Sequence, residues 1–302
     1  MPYDTLQGAA PTAHGSSHPR PKGFLPMTPP NATPGTPASS ADSEPLFDVR
    51  EFARTARGSH RGELDLSRVD AAAVDADAAR LLRVLRDLES STMHRMRNLL
   101  VTATHKDARV TAFLTTWAFE KFWIADALAA VLEASGHPTD SDDGMRRKTL
   151  AERADRRGPV LRAIAGNIAG VQLVAAHVTI GLIDEWVTSA AYRRLGELAP
   201  ALSDVVDLVL DIKERHIEFL AQEARRRLAE SARARRITMK TVRQTAWPVG
   251  ATERPADDRT LFEALVFGGD EGASRAREIA VSIAALPGLG PVGPTVAARL
   301  VP

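Results

Sequence analysis

The chain of 302 residues contains no cysteine. This absence excludes disulfide bonds, thiolate metal sites and cysteine nucleophiles, and it favours a reducing compartment. An excess of charge of one sign is also lacking, because the formal net charge is only +1. No segment approaches the roughly 20 apolar residues that cross a bilayer, and the first residues contain no apolar core of a signal peptide. We therefore expect a cytoplasmic protein without a membrane span.

Lysine is scarce, whereas alanine and arginine abound, a usage typical of a GC-rich bacterial genome. Residues 1–45 are rich in Pro, Gly, Ser and Thr and carry few large apolar side chains, which predicts a disordered tail. One apolar island, residues 23–27, could dock a protein partner. Residues 46–74 are expected to form a linker to the folded part of the chain.

Helical periodicity begins near residue 75 and predicts four helices, at about 75–104, 108–134, 159–195 and 201–234. Short loops separate the first two helices and the last two. A long polar connection, residues 139–158, joins the two pairs. This pattern predicts an all-α, antiparallel four-helix bundle over residues 75–236, with a long crossover between its second and third helices. Residues 237–302 are expected to form a small C-terminal extension, extended at first and then helical, that packs on the bundle.

One ionisable side chain interrupts the inward apolar stripe of each predicted helix: Glu89, Glu120, Glu185 and His216. A buried charge must be paired, protonated or bound to a metal. Glu89 and Glu120 are 31 positions apart and centred on one short loop, and Glu185 and His216 are 31 apart and centred on the other. Each group should therefore lie about 23 Å from its loop at 1.5 Å per residue. We predict that the four groups meet in one layer.

Three carboxylates and one imidazole form a set of hard ligands that suits iron, manganese or zinc. The segment from Lys213 to His216, which reads Lys-Glu-Arg-His, is similar to the Glu-x-Arg-His helix motif of the ferritin-like superfamily of di-iron carboxylate proteins. Asp184-Glu185-Trp186 resembles the third-helix Glu of that family. The resemblance covers about residues 75–234. It implies a metal-dependent oxidoreductase that holds iron or manganese through Glu89, Glu120, Glu185 and His216.

The ligand set departs from the family pattern at two positions. Trp123 stands where a second histidine is expected, and Lys213 stands where a carboxylate is expected. The Lys213 ammonium could neutralise two carboxylates and form a metal-free salt-bridge network instead, so the sequence leaves both states open. Three further residues lie near the predicted layer as candidate supporting or competing groups: Asp184, Glu214 and His177.

Two classes of function follow. One is the metal-dependent oxidoreductase, and the other is a metal-free scaffold or cargo-type interaction protein that docks through residues 1–45. The basic run from Arg225 to Arg236 allows a weaker third class, a nucleic-acid accessory protein. Such a run is more typical of a solvated helix face, so nucleic acid is not the expected partner. We also expect a homodimer formed through outward apolar faces.

Overall fold

The structure, a computed structural model, describes residues 45–70, 72–137 and 170–302. Every regular element in these residues is a helix, which confirms the prediction of an all-α fold. The predictions for residues 1–44, for the crossover at 139–158 and for the start of the third helix at 159 lie outside the described residues. None of the described helices is both long and apolar enough to cross a membrane.

The described helices are numbered here in chain order. They are α1 (Val49–Arg54), α2 (Ala76–Ser90), α3 (Thr92–Leu100), α4 (Ala108–Ala134), α5 (Gln172–Leu198), α6 (Ser203–Glu230), α7 (Ala232–Gln244), α8 (Ala256–Phe267), α9 (Gly269–Ala284) and α10 (Gly293–Leu300).

Helix α4 has the bounds that the sequence predicts. It begins at a cap, because the Asp107 side chain accepts a hydrogen bond of 3.0 Å from the backbone N–H of Val110. It ends before Gly136, whose φ of 70° lies in the left-handed region that favours glycine. Local cap and stop residues therefore fix both ends of this helix.

The first predicted helix is broken, since α2 ends at Ser90 and α3 begins at Thr92. The hydroxyl of Ser90 donates to the carbonyl of Asp87, and the hydroxyl of Ser91 donates to the carbonyl of Leu88. These bonds compete with the helical hydrogen bonds of the same carbonyls. A cluster of hydroxyl side chains thus ends α2 one residue after Glu89.

The fourth predicted helix is broken as well, at Ser231. This residue is extended, with φ −139° and ψ 114°, and its side chain caps α7 by accepting from the N–H of Ala234. Helix α7 then runs to Gln244, so the prediction that the chain is extended from residue 237 is wrong for residues 237–244. Helix α7 packs along α5.

Helix α5 lies at the centre of the packing. It contacts α6 and α7 most extensively, and α2, α8 and α9 also touch it. Helix α2 packs against α4, so the α2–α4 pair and the α5–α6 pair share one continuous hydrophobic core. The middle turns of α4, α5 and α6 and the last turn of α2 meet inside this core, and this meeting point holds the candidate site.

Candidate functional site: a buried layer of paired charges

The structure brings together the four ionisable residues that the sequence places in one layer. Glu89 lies in the last turn of α2, and Glu120, Glu185 and His216 lie near the middle of α4, α5 and α6. None of the four is more than 1% exposed. The His216 Nε2 atom lies 2.8 Å from Glu120 Oε2, and its Nδ1 atom lies 3.7 Å from Glu185 Oε1.

Two lysine side chains complete this cluster, which we call the ion layer: Glu89, Glu120, Lys121, Glu185, Lys213 and His216. The ammonium of Lys121 lies 2.6 Å from Glu89 Oε2 and 3.1 Å from Glu185 Oε1. The ammonium of Lys213 donates to Glu185 Oε2 and lies 3.6 Å from Glu89 Oε1. Each ammonium therefore bridges the same two carboxylates.

Two neutral side chains donate further hydrogen bonds to the same two carboxylates. The hydroxyl of Tyr192 donates to Glu89 Oε1 over 3.1 Å. The indole N–H of Trp117 donates to Glu185 Oε1 over 2.7 Å. Since Lys121 and Lys213 cover the other two oxygens, all four oxygens of Glu89 and Glu185 face a proton donor.

Glu120 has a different set of partners. The guanidinium of Arg215 and the backbone N–H of Arg57, the latter at 2.8 Å, both donate to its Oε1 atom. Its Oε2 atom accepts from His216. Both oxygens of this carboxylate are therefore satisfied, and one of the donors comes from a segment that was expected to be a linker.

That segment, residues 45–57, forms what we call the N-terminal strap. It contains α1, and its Phe52 ring is only 3% exposed. Phe52 meets the His216 ring edge-on at 6.0 Å, and the Arg215 guanidinium lies 5.1 Å from the centre of the Phe52 ring. The strap thus covers the Glu120 side of the ion layer and shields the Glu120–His216 pair from solvent.

The charges of the ion layer and its Arg215 neighbour are balanced. Three carboxylates face two ammonium groups and one guanidinium. Burial alone would raise the pKa of Glu89 and of Glu185, but the nearby Lys121 and Lys213 ammonium groups hold both pKa values below the usual range, that of Glu185 by the larger amount. Burial would lower the pKa of Lys121, whereas Glu185 and Glu89 raise it above its usual value. Both carboxylates and the Lys121 ammonium are therefore charged at neutral pH.

The donor set can be tested for its fit to a metal. A metal ion bound by Glu89, Glu120 and Glu185 would have to displace an ammonium, a guanidinium, an imidazole or an indole N–H from the oxygen that it approached. It would also lie next to two positive charges. Among the described residues, no three His, Asp or Glu side chains converge as metal ligands. In this arrangement the residues do not fit a carboxylate-bridged metal centre.

The other candidate residues lie around the layer or away from it. Glu214 is exposed on the outer side of α6 and does not reach the layer. Trp123 is half-buried on the outer face of α4, where it packs against Phe119 and Phe122. Asp184 is buried, and its Oδ1 atom accepts from the backbone N–H of Val249 over 2.7 Å. Burial raises the pKa of Asp184.

A cavity of about 220 Å³ adjoins the ion layer. Trp117 belongs to both, because its ring lines the cavity while its N–H bonds Glu185. Asp184 and His177 also line the cavity, two turns apart on α5. The His177 Nδ1 atom lies 2.7 Å from the Thr104 hydroxyl, and burial lowers the pKa of this histidine to about 4. Its imidazole is therefore neutral at physiological pH.

Sequence reasoning missed Lys121, Tyr192, Trp117 and Arg57 as parts of the site. Lys121 follows Trp117 by four positions and so shares its helix face, a spacing that could have identified it. Tyr192 follows Glu185 by seven positions, which also places both on one face. The sequence contains no comparable signal for the backbone N–H of Arg57, because the position of this group depends on how the strap folds back on α4.

Comparison with protein-family models, with curated proteins and with solved structures finds no match for this chain.

Proposed function

We propose that the protein is a metal-independent, non-catalytic binding scaffold, built as an antiparallel four-helix bundle with ferritin-like connectivity. The observation that carries this proposal is the position of Lys121 and Lys213, whose ammonium groups both bridge Glu89 and Glu185. In a carboxylate-bridged metal site, cations hold the carboxylates together. Here the ammonium groups do so.

Electrostatics supports this assignment. An unpaired charge in the core costs several kcal/mol, and a second cation placed beside two ammonium groups would add repulsion. The balance of three negative and three positive groups removes the need for a further cation. The resemblance to di-iron proteins then concerns the arrangement of the helices, and the oxidoreductase chemistry of that family is not part of the proposal.

The ion layer also specifies how the helices pair. Its hydrogen bonds connect α2 to α4 and α5, α5 to α4 and α6, and α6 to α4. A shift of any one helix by one residue would separate a buried charge from its partner, and an uncompensated buried charge costs about 3–5 kcal/mol. We propose that the layer fixes the register of the bundle and so keeps the adjoining cavity in shape.

Elemental analysis tests the proposal. The full-length protein should be purified from cells grown with added iron and manganese, and its metal content measured per chain. We expect substoichiometric metal and no change in thermal unfolding after treatment with a chelator.

Stoichiometric iron or manganese that is lost in Glu120→Ala would overturn the proposal and support the metal-dependent oxidoreductase. The matched control is Glu214→Ala, which removes an exposed glutamate of α6 outside the layer. Its metal content should equal that of the wild type in either case.

A further inference from the structure

The cavity beside the ion layer is walled mainly by apolar side chains. They come from α3, α4, α5, α6 and the loop before α8, and they include Leu99, Val110, Leu114, Val178, Leu220 and Val249. The ring of Trp117 adds an aromatic surface to this wall. Concave sites with such a lining are where proteins typically bind small molecules.

The polar side chains of the wall are directed to partners inside the protein. The His177 Nδ1 atom lies 2.7 Å from the Thr104 hydroxyl, and the Trp117 N–H donates to Glu185. The terminal nitrogens of Arg95 donate to oxygens of Leu88, Ser91, Thr92 and Val249. Among the described residues, no fully buried polar side-chain atom of the wall lacks a hydrogen-bond partner. A ligand in this cavity therefore needs no polar group to complete the wall.

The charged groups of the wall are compensated as well. The Asp184 Oδ1 atom accepts from the N–H of Val249, and Arg95 and Lys121 act on this carboxyl group as nearby positive charges. His177 is neutral, as shown above, and Glu253 is exposed to solvent. An ion that entered the cavity would lose its water without gaining a free counter-charge, which is costly. The wall therefore favours a neutral ligand over a cation or an anion.

The volume sets the size of the ligand. A water molecule in a cavity needs two to four polar partners, whereas an apolar cavity of about 150 Å³ stays dry and binds benzene. The cavity beside the ion layer has a volume of about 220 Å³. It is therefore large enough for benzene and has space left for a second fused ring.

We propose that the cavity binds a neutral apolar molecule of one or two fused rings, in contact with Trp117, Leu114 and Val178. The ring of Trp117 suits an aromatic ligand, because aromatic rings gain from offset or edge-on contact beyond the area that they bury. This inference names the ligand class of the proposed binding scaffold and rests on that function.

Gly181 gives the cavity an adjustable wall. It lies inside α5 and lines the cavity together with Leu220. A Cβ atom at this position would meet the two methyl groups of Leu220 at 3.5 Å, an ordinary van der Waals distance. Alanine therefore fits without a clash, and it should stabilise the helix relative to glycine. The same methyl group would take space from a ligand.

The first test is isothermal titration calorimetry in which the full-length protein is injected into naphthalene, 1-naphthylmethylamine or 1-naphthoate. The three ligands share one ring system and differ in charge at neutral pH. We expect naphthalene to bind at least about tenfold more tightly than either ion, because only the ions must give up the hydration of a charge.

Two variants change the volume in opposite directions. Gly181→Ala should weaken naphthalene binding about fivefold or more, as expected when a filled site gains a methyl group, although its melting temperature should not fall. Val178→Ala enlarges the cavity, so the ratio of naphthalene affinity to benzene affinity should rise. This ratio does not depend on the fraction of the variant that is folded.

Gly196→Ala is the matched control. Gly196 also lies in α5, and a Cβ atom there would lie 3.6 Å from Val206, away from the cavity. This variant should bind naphthalene as the wild type does. Equal loss of affinity in Gly181→Ala and Gly196→Ala would overturn the inference, because the loss would then not arise from the cavity.

Tighter or equal binding of either naphthyl ion would also overturn the inference. So would the absence of naphthalene binding to a wild-type protein whose circular dichroism shows the folded state. Metal content measured on the same preparation keeps the two proposals apart. Metal-free protein that does not bind naphthalene refutes only the apolar-ligand site, and stoichiometric metal refutes the proposed function.

Discussion

The ion layer makes its sharpest prediction for the stability of the variant Lys213→Met. Methionine has a similar length and fills the same space, so the change removes charge and hydrogen bonds with little loss of packing. Lys213 is fully buried, and its ammonium bonds Glu185 and faces Glu89. The variant would leave one net negative charge in the ion layer, and among the described residues Lys121 would remain as the one ammonium group between these two carboxylates.

The expected cost follows from this geometry. Removing one partner of a buried ion pair typically lowers the free energy of unfolding by about 3–5 kcal/mol. For a folded chain of this size, that corresponds to a fall in melting temperature of about 6–20 °C at about 2–4 °C per kcal/mol. Loss of the Lys213 ammonium also removes one of the two charges that hold the pKa values of Glu89 and Glu185 low. Both pKa values should therefore rise in the variant, and its loss of stability should shrink as the pH is lowered.

Urea unfolding monitored by circular dichroism measures this cost, and a double-mutant cycle assigns it. Glu185→Gln in the Lys213→Met background restores the charge balance and should recover at least half of the loss. Lys240→Met, at an exposed position on α7, is the control and should change stability by less than about 0.5 kcal/mol. The reasoning is refuted if Lys213→Met loses no more unfolding free energy than Lys240→Met does. It is also refuted if the losses caused by Lys213→Met and Glu185→Gln simply add in the double variant.

Three further predictions concern the strap, the cavity and a helix cap. Phe52→Ala should cost about 3–5 kcal/mol and speed amide hydrogen exchange at Arg57, whereas Leu46→Ala, at an exposed position, should do neither. The pKa of His177, lowered to about 4 by burial, means that the unfolded state binds more protons between about pH 6.5 and 4. Stability should therefore fall by up to about 3 kcal/mol across that window in pH-dependent unfolding, and His177→Gln should flatten the slope. Ser231→Ala should cost about 1 kcal/mol in urea unfolding, since it removes the cap of α7.

The sequence predicts the meeting of the four ionisable residues because helical geometry is nearly constant. With a fixed rise per residue, equal distances from a tight turn place residues at equal depth. The bounds of α4 agree with the prediction, and in the structure local residues fix them: the Asp107 cap at the start and Gly136 with its positive φ after the end. The end of the C-terminal extension is helical as predicted, and it forms α8, α9 and α10.

The partners within the layer were harder to predict, because they depend on tertiary contacts. Lys121 is charged and adjacent to Glu120, and a charged residue on a helix is usually solvated, so periodicity alone did not place it in the core. The breaks at Ser91 and Ser231 depend on side-chain bonds to the backbone that compete with an otherwise continuous helical pattern. The strap has little local preference for its position, and it is ordered by the contacts of Phe52 and by the bond from Arg57 to Glu120.

The central claim is that lysine ammonium groups occupy the positions between the carboxylates. Crystals of the full-length protein grown with iron and manganese, measured at the absorption edges of both metals, test it most directly. The account predicts side-chain density for Lys121 and Lys213 between Glu89 and Glu185 and no anomalous peak there. An anomalous peak between these carboxylates, with either lysine turned away from the layer, would contradict it.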